Sequence, residues 1–181
     1  MRPLYVILVD ASGSMEPAWD TAWNIVFDLA RRAPASFIIL AFKARRVDNV
    51  PDDCVHDYRS AVVYDVGCVM AMRGIQRLKS KPNPGDVGLR FSTRTPLNDA
   101  IVYTITALER RGVPYEIHIV SDNRDTASEL TMEDVLAEKT RAKRLARIVL
   151  HCVGNCLRKY LDIYDEVVEH GSPVPPRPVF L

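Results

Sequence analysis

The chain predicts an α/β protein in three layers: a Rossmann-like, doubly wound, mostly parallel sheet with helices on both faces. Three observations carry this. Continuous apolar runs at 4–9 and 36–42 lack the polar alternation of a solvent-facing sheet, as buried parallel strands do, and the runs at 115–120 and 147–153 read as two further strands. Segments between them place apolar residues at helical spacing, so strands alternate with crossover helices. Two of the runs end in an aspartate, Asp10 and Asp122, at the strand ends where open α/β sheets hold ligands.

The 181 residues are expected to form one domain over 1–170, followed by a proline-rich tail at 171–181. With 48% hydrophobic and 26% charged residues the composition is globular. A net charge of +1 offers no global field for nucleic acid or membrane. No apolar run is long enough to span a bilayer and nothing resembles a signal peptide, so a cytoplasmic setting is expected.

Taken in order, the first strand leads into Asp10-Ala11-Ser12-Gly13-Ser14. This supplies one carboxylate and two hydroxyls just before a helix, hard oxygen donors that suit magnesium or manganese. The same residues would also serve an ordinary strand-to-helix turn, with serine as cap and glycine for positive φ. The helix over 17–32 places Ala22, Val26, Leu29 and Ala30 on one face, with Trp19 and Trp23 four apart. Trp23 is assigned to the core. Trp19 lies one turn from the helix start, either packed or at the rim of the site.

Residues 43–60 read as a solvated polar loop, since Asp48, Asp52, Asp53 and Asp57 lack the spacing of a calcium-binding loop. A short edge strand is expected at 61–66, a helix at 68–79 weakened by Gly74, and a loop at 79–88. Leu97, Ala100, Ile101, Ile105 and Leu108 form a helical stripe, with Thr95 placed as N-cap and Pro96 as first helical residue. Thr131 to Asp134 is a capping signature, opening a helix that is acidic first and then basic through Lys139, Arg141, Lys143, Arg144 and Arg147. Without interleaved aromatics that cluster reads as a solvated face. A last helix is expected at 156–168. Cys54, Cys68, Cys152 and Cys156 show no C-x-x-C pair and are expected to be reduced packing residues.

Two parallel strands ending in Asp10 and Asp122 bring two carboxylates to one sheet edge, where a divalent cation relieves their repulsion. Asp10-x-Ser12-x-Ser14, Thr95-Pro96-Leu97-x-x-Ala100 and Ser121-Asp122, in that order, resemble the metal-ion-dependent adhesion site of the von Willebrand factor type A (VWA) domain. The resemblance spans residues 4 to 153. It implies that Asp10, Ser12, Ser14, Thr95 and Asp122 hold Mg2+ or Mn2+, some directly and some through water. Thr93-Arg94 replaces the usual glycines before the threonine, and Asn123 the usual glycine after the second aspartate. Thr93 is an alternative hydroxyl donor, and the Arg94 cation crowds the ion or screens part of the partner surface. A fainter similarity is to the C-terminal domain of Ro-type RNA-binding proteins.

The function that follows is a non-enzymatic, adhesion-type module. A partner protein's Asp or Glu completes the metal's coordination, with Met15, Trp19 and Arg94 forming part of the rim. The alternatives are a Mg-dependent phosphohydrolase using Asp10 and an accessory domain of an RNA-associated complex. Against the hydrolase, Ser12 stands where an Asp-x-Asp phosphatase carries its second carboxylate.

Overall fold

The computed structural model describes residues 2–44, 50–74, 91 and 94–170. Its elements are β1 (Leu4–Asp10), α1 (Trp19–Arg32), β2 (Phe37–Lys43), β3 (Val55–Tyr58), β4 (Ala61–Asp65) and α2 (Val66–Met72). They continue with α3 (Leu97–Glu109), β5 (Tyr115–Ser121), α4 (Met132–Arg141), β6 (Leu145–Val153) and β7 (Glu166–His170). Among the described residues the strands form one seven-stranded sheet in the order β3-β4-β2-β1-β5-β6-β7. The five strands from β2 to β7 in that order run parallel; β4 and β3 are antiparallel additions.

Helices cover both faces, and the period of two within each strand decides which residue meets which layer. On β1, Val6 and Leu8 pack with Ile101 and Ile105 of α3 and Val135 of α4. Ile7 and Val9 point the other way, onto Trp23, Val26 and Leu29 of α1 and Val69 of α2. Both sets are essentially solvent-free, which is why β1 carries no polar alternation. β1 pairs with β2 on one side and β5 on the other, so the strand order reverses there. This topological switch point is where doubly wound sheets open a crevice. Asp10 and Asp122 stand at its mouth.

The structure corrects several expectations. The segment 43–60 is not all loop. Val55–Tyr58 forms a hairpin with β4 through a two-residue turn, Arg59-Ser60, with Arg59 at φ 53°. That turn lacks the Asn-Gly or Asp-Gly chemistry that announces a hairpin. β4 is therefore an inner strand, and β3 is the edge. The helix expected from residue 17 starts as a 3₁₀ turn over Gly13–Ala18, and α1 proper begins at Trp19.

No helix spans 156–168. A short 3₁₀ turn (Leu161–Ile163) leads instead into β7, which adds parallel to β6. Tyr160 adopts φ 58°, a left-handed conformation that stops a helix, and Val167-Val168 suits a strand. The cysteines are also corrected: Cys54 bonds Cys68 and Cys152 bonds Cys156, each with Cα atoms 5.5 Å apart. Cys54 ends a 3₁₀ turn and Cys68 lies in the first turn of α2, while Cys152 lies within β6 and Cys156 in the loop after it. Sequence spacing alone does not reveal that proximity. The helix residues expected beyond 74, the loop at 79–88 and the proline-rich tail lie outside the described residues.

Candidate metal centre

Asp10 closes β1 with its side chain fully buried. Its Oδ1 accepts from the Ser12 backbone N–H at 2.8 Å, and its Oδ2 from the Ser121 hydroxyl at 2.7 Å. Burial, the dominant influence, pushes its pKa up to about 7; hydrogen bonds from Ser12 and Ser121 act against this, and the charge of Asp122 adds to it. Ser12 is also fully buried, and its hydroxyl lies 3.2 Å from that of Ser14. Ser14 in turn donates to Asp122 Oδ2 at 2.6 Å. One continuous string of oxygens thus joins the ends of β1 and β5.

Asp122 is 4% exposed, and its Oδ1 is buried without a hydrogen-bond partner among the described residues. An orphaned carboxylate oxygen is costly unless something fills its place. Arg124 Nε lies 3.8 Å from the other oxygen, Oδ2.

Thr95, two residues before α3, is 3% exposed, and its hydrogen bonds run to Thr126 and Ala127 rather than to the two aspartates. Its backbone is pinned at both ends. The N–H donates to Thr126 Oγ1 at 2.9 Å, and the carbonyl accepts from the N–H groups of Thr126 and Ala127. Thr95 is not the N-cap it was expected to be. Helix α3 begins at Leu97 after Pro96, and no side chain at that position caps it. The first turn is capped from a distance: Asp125 Oδ2 accepts from Asn98 N–H at 2.8 Å and Ser128 Oγ from Asp99 N–H at 3.1 Å. The loop after β5 thereby takes over the helix end, and the threonine hydroxyl is released from capping.

Asn123 does more than turn the chain. It sits at φ 59°, as an asparagine in place of glycine can. Its Nδ2 also donates to the carbonyls of Leu157 (2.9 Å) and Lys159 (3.0 Å), and its Oδ1 accepts from Tyr164 Oη at 2.7 Å. Leu157 N–H returns a bond to the Asp122 carbonyl at 2.8 Å. The loop after β6, its base closed by Cys152–Cys156, is thus what fixes Asp122. The one sequence sign of this was the asparagine itself, which can bond where glycine cannot.

The expected rim is only partly on the surface. Met15 is fully buried and Trp19 only 7% exposed, stacked on Trp23 at 5.2 Å, so both support the site from the core. Arg94 is exposed. Thr93 lies outside the described residues. Of the basic cluster, Lys139 is tied to the Ile163 carbonyl and Asp165, Arg141 to Glu138, and Arg147 to Glu116 and Glu166. Only Lys139 and Arg141 lie on α4, which ends at Arg141; Lys143 and Arg144 follow it and Arg147 lies on β6, so the basic residues do not form one helix face.

The histidines are committed elsewhere. His118, His151 and His170 form a chain across β5, β6 and β7, with nitrogens 2.9 and 3.0 Å apart, and His56 stacks near Tyr103. None of these contacts reaches Asp10 or Asp122.

The donor set fits a hard divalent cation. All five side chains offer oxygen, the two carboxylates are buried, and one of their atoms lacks a partner. Among the described residues no three His, Cys, Asp or Glu side chains gather in metal-binding array, so any ion here relies on hydroxyls beside the two aspartates.

No family model matches the sequence, and no curated protein does. Solved structures do match in shape. The proximal thread matrix protein 1 of the mussel byssus superposes with a TM-score of 0.61 at 11% identity, over 95% of this chain and 44% of that one. A second crystal form of it gives 0.57 at 13% identity. The VWA domain of SpRpn10 superposes at 0.50 with 14% identity, over 96% of this chain and 90% of that domain. The fold is VWA-like. This chain spans less than half the length of the mussel protein, and the likeness to all of these is one of architecture. Among the described residues no helix is long and apolar enough to cross a membrane.

Proposed function

We propose that this VWA-like domain is a divalent-metal-dependent protein-binding module. Asp10, Ser12, Ser14, Thr95 and Asp122 hold Mg2+ or Mn2+, and an Asp or Glu of a partner protein completes the coordination. The observation that carries the reading is the unpartnered, buried Oδ1 of Asp122, near the fully buried carboxylate of Asp10 at the switch point of the sheet. Two aspartates just balance a divalent ion. Hydroxyl and water ligands leave that ion attractive to one more carboxylate. A hydrolase needs a base near the ion, and the histidine contacts described above run between the histidines and away from the aspartates.

The test is capture of binding partners from the source cell in magnesium and in EDTA. Wild type retains a partner in magnesium and loses it in EDTA, while Ser12→Ala retains little in either. Equal capture in EDTA and magnesium would contradict the proposal. Turnover of p-nitrophenyl phosphate with Mg2+ or Mn2+, abolished by Asp10→Asn, would move the protein to the hydrolase class.

A further inference from the structure

A cavity of about 340 Å3 opens on the same edge of the sheet, between the start of α3, the start of α4 and the loop after β6. Its walls are apolar where Leu97, Met132, Leu157 and Ile163 line them, and acidic at Asp125 and Glu133. No lysine, arginine or histidine contributes to the lining. Asp125 spends one lone pair of each oxygen on the N–H groups of Asn98 and Ser128, which leaves acceptor capacity. Glu133 is exposed, and neither carboxylate forms an ion pair among the described residues.

Tyr160 completes the lining and is the most exposed large aromatic or aliphatic side chain described, at 64%. Its backbone is held at φ 58°, a conformation that costs a bulky residue energy and that the surrounding loop imposes. An aromatic face kept open to solvent beside two carboxylates is the set of groups that recognises a cation on an apolar stem.

We infer that this cavity receives an arginine side chain of the partner protein, its methylenes against the apolar wall and its guanidinium between Tyr160, Asp125 and Glu133. The volume lies at the bottom of the ~300–1,000 Å3 range of ligand pockets and suits one long side chain. Arginine is favoured over lysine because a planar guanidinium both stacks on tyrosine and bonds a carboxylate through a fork. The inference rests on reading this edge as a protein-binding surface, and it specifies the partner further. Asn123, in the cavity wall, directly follows Asp122, and Leu97 is two residues from Thr95. With Cα atoms ~3.8 Å apart along the chain, metal centre and cavity are neighbours, so one short segment of partner reaches both with an acidic and a basic residue.

The test uses N-acetyl-arginine amide as probe, titrated into 15N-labelled protein in EDTA, so that its outcome does not depend on the metal. N-acetyl-citrulline amide, which keeps the shape and loses the charge, is the control. Saturable shifts at the amides of Asn123, Leu157 and Tyr160 are expected with arginine, at least fivefold weaker with citrulline, and at least threefold weaker in Glu133→Gln. Tyr160→Gly, which suits the left-handed backbone and therefore keeps the fold, removes the ring and also weakens binding at least threefold. No saturable shift at these amides, or equal affinity for arginine and citrulline amides, overturns the inference. A parallel magnesium titration followed at Asp122 reports separately on the metal centre.

Discussion

The hydroxyl of Ser14 donates to Asp122 Oδ2 at 2.6 Å, joining two residues 108 positions apart in the chain. That bond brings the loop after β1 onto the end of β5 and closes the donor set on itself. It uses one oxygen of Asp122 and leaves the other buried without a partner.

The same enclosure makes Asp10 expensive. Its pKa is raised to about 7 chiefly by burial, so the folded state disfavours its charge relative to the unfolded chain. For a carboxyl raised in this way, the stabilising share is present below the unfolded pKa and is lost as pH rises through the folded one. Asp10→Asn keeps an acceptor for Ser12 N–H and offers a donor to Ser121. It is expected to stabilise the metal-free protein at pH 8, by on the order of 2 kcal/mol, while ending metal binding. Urea unfolding in EDTA decides it, and an unchanged or lower midpoint for the variant contradicts this account of Asp10.

Thr95→Ala separates metal ligation from helix capping. Because Asp125 and Ser128 cap α3, the variant is expected to lose less stability than removal of the cap itself. Asp125→Ala, which strips the N–H groups of Asn98 and Ser128, should cost about 1 kcal/mol or more. A Thr95→Ala loss as large as that of Asp125→Ala, in metal-free unfolding, would show that Thr95 holds the helix after all.

These two cases show what a sequence conveys and what it hides. Asp10, Ser12, Ser14 and the run before them were readable because strand, turn and donors are local, and a buried parallel strand leaves a plain apolar signature. Asp122 was readable because it follows the strand Tyr115–Ser121, whose Ile and Val content announces it despite Glu116 and His118. The capping of α3 by Asp125 was not, since it depends on which distant loop arrives. Thr95-Pro96 had a sufficient local explanation that was the wrong one. The region after β6 was misread as a helix because its Leu and Val spacing tolerates either period. The αL Tyr160, and the bond from Ile148 N–H to Asp165 Oδ2 at 2.7 Å, settle it as turn and strand.

The histidine chain predicts an acid weakness. Burial, first of all, lowers the pKa of His118, His151 and His170, that of His151 to about 3. Arg32 of α1 lowers all three, and Arg147 of β6 lowers His118 and His151. Glu116 opposes this at His118, and Asp28 of α1 at His170. Below the ordinary histidine value of about 6.5 the unfolded chain binds protons that the folded one refuses. Stability is therefore full above that pH and falls as pH drops, by up to about 1.4 kcal/mol per pH unit for each such histidine. Asp10 has the opposite sign, so the comparison belongs in Asp10→Asn. Its urea midpoint is expected to fall between pH 7.5 and 5.5, less steeply once His151→Gln is added; a flat profile contradicts the reading.

The central claim is that this site binds a divalent ion, and Mn2+ measures it most directly. Electron paramagnetic resonance reports free Mn2+ during a titration of the reduced-volume, metal-free protein, and magnesium competition reports whether both ions share the site. The account predicts one Mn2+ per chain, displaced by Mg2+, with affinity lowered at least tenfold in Ser12→Ala and lost in Asp122→Ala. Free Mn2+ signals that match a protein-free blank at millimolar protein, or binding that Asp122→Ala leaves intact, would contradict it.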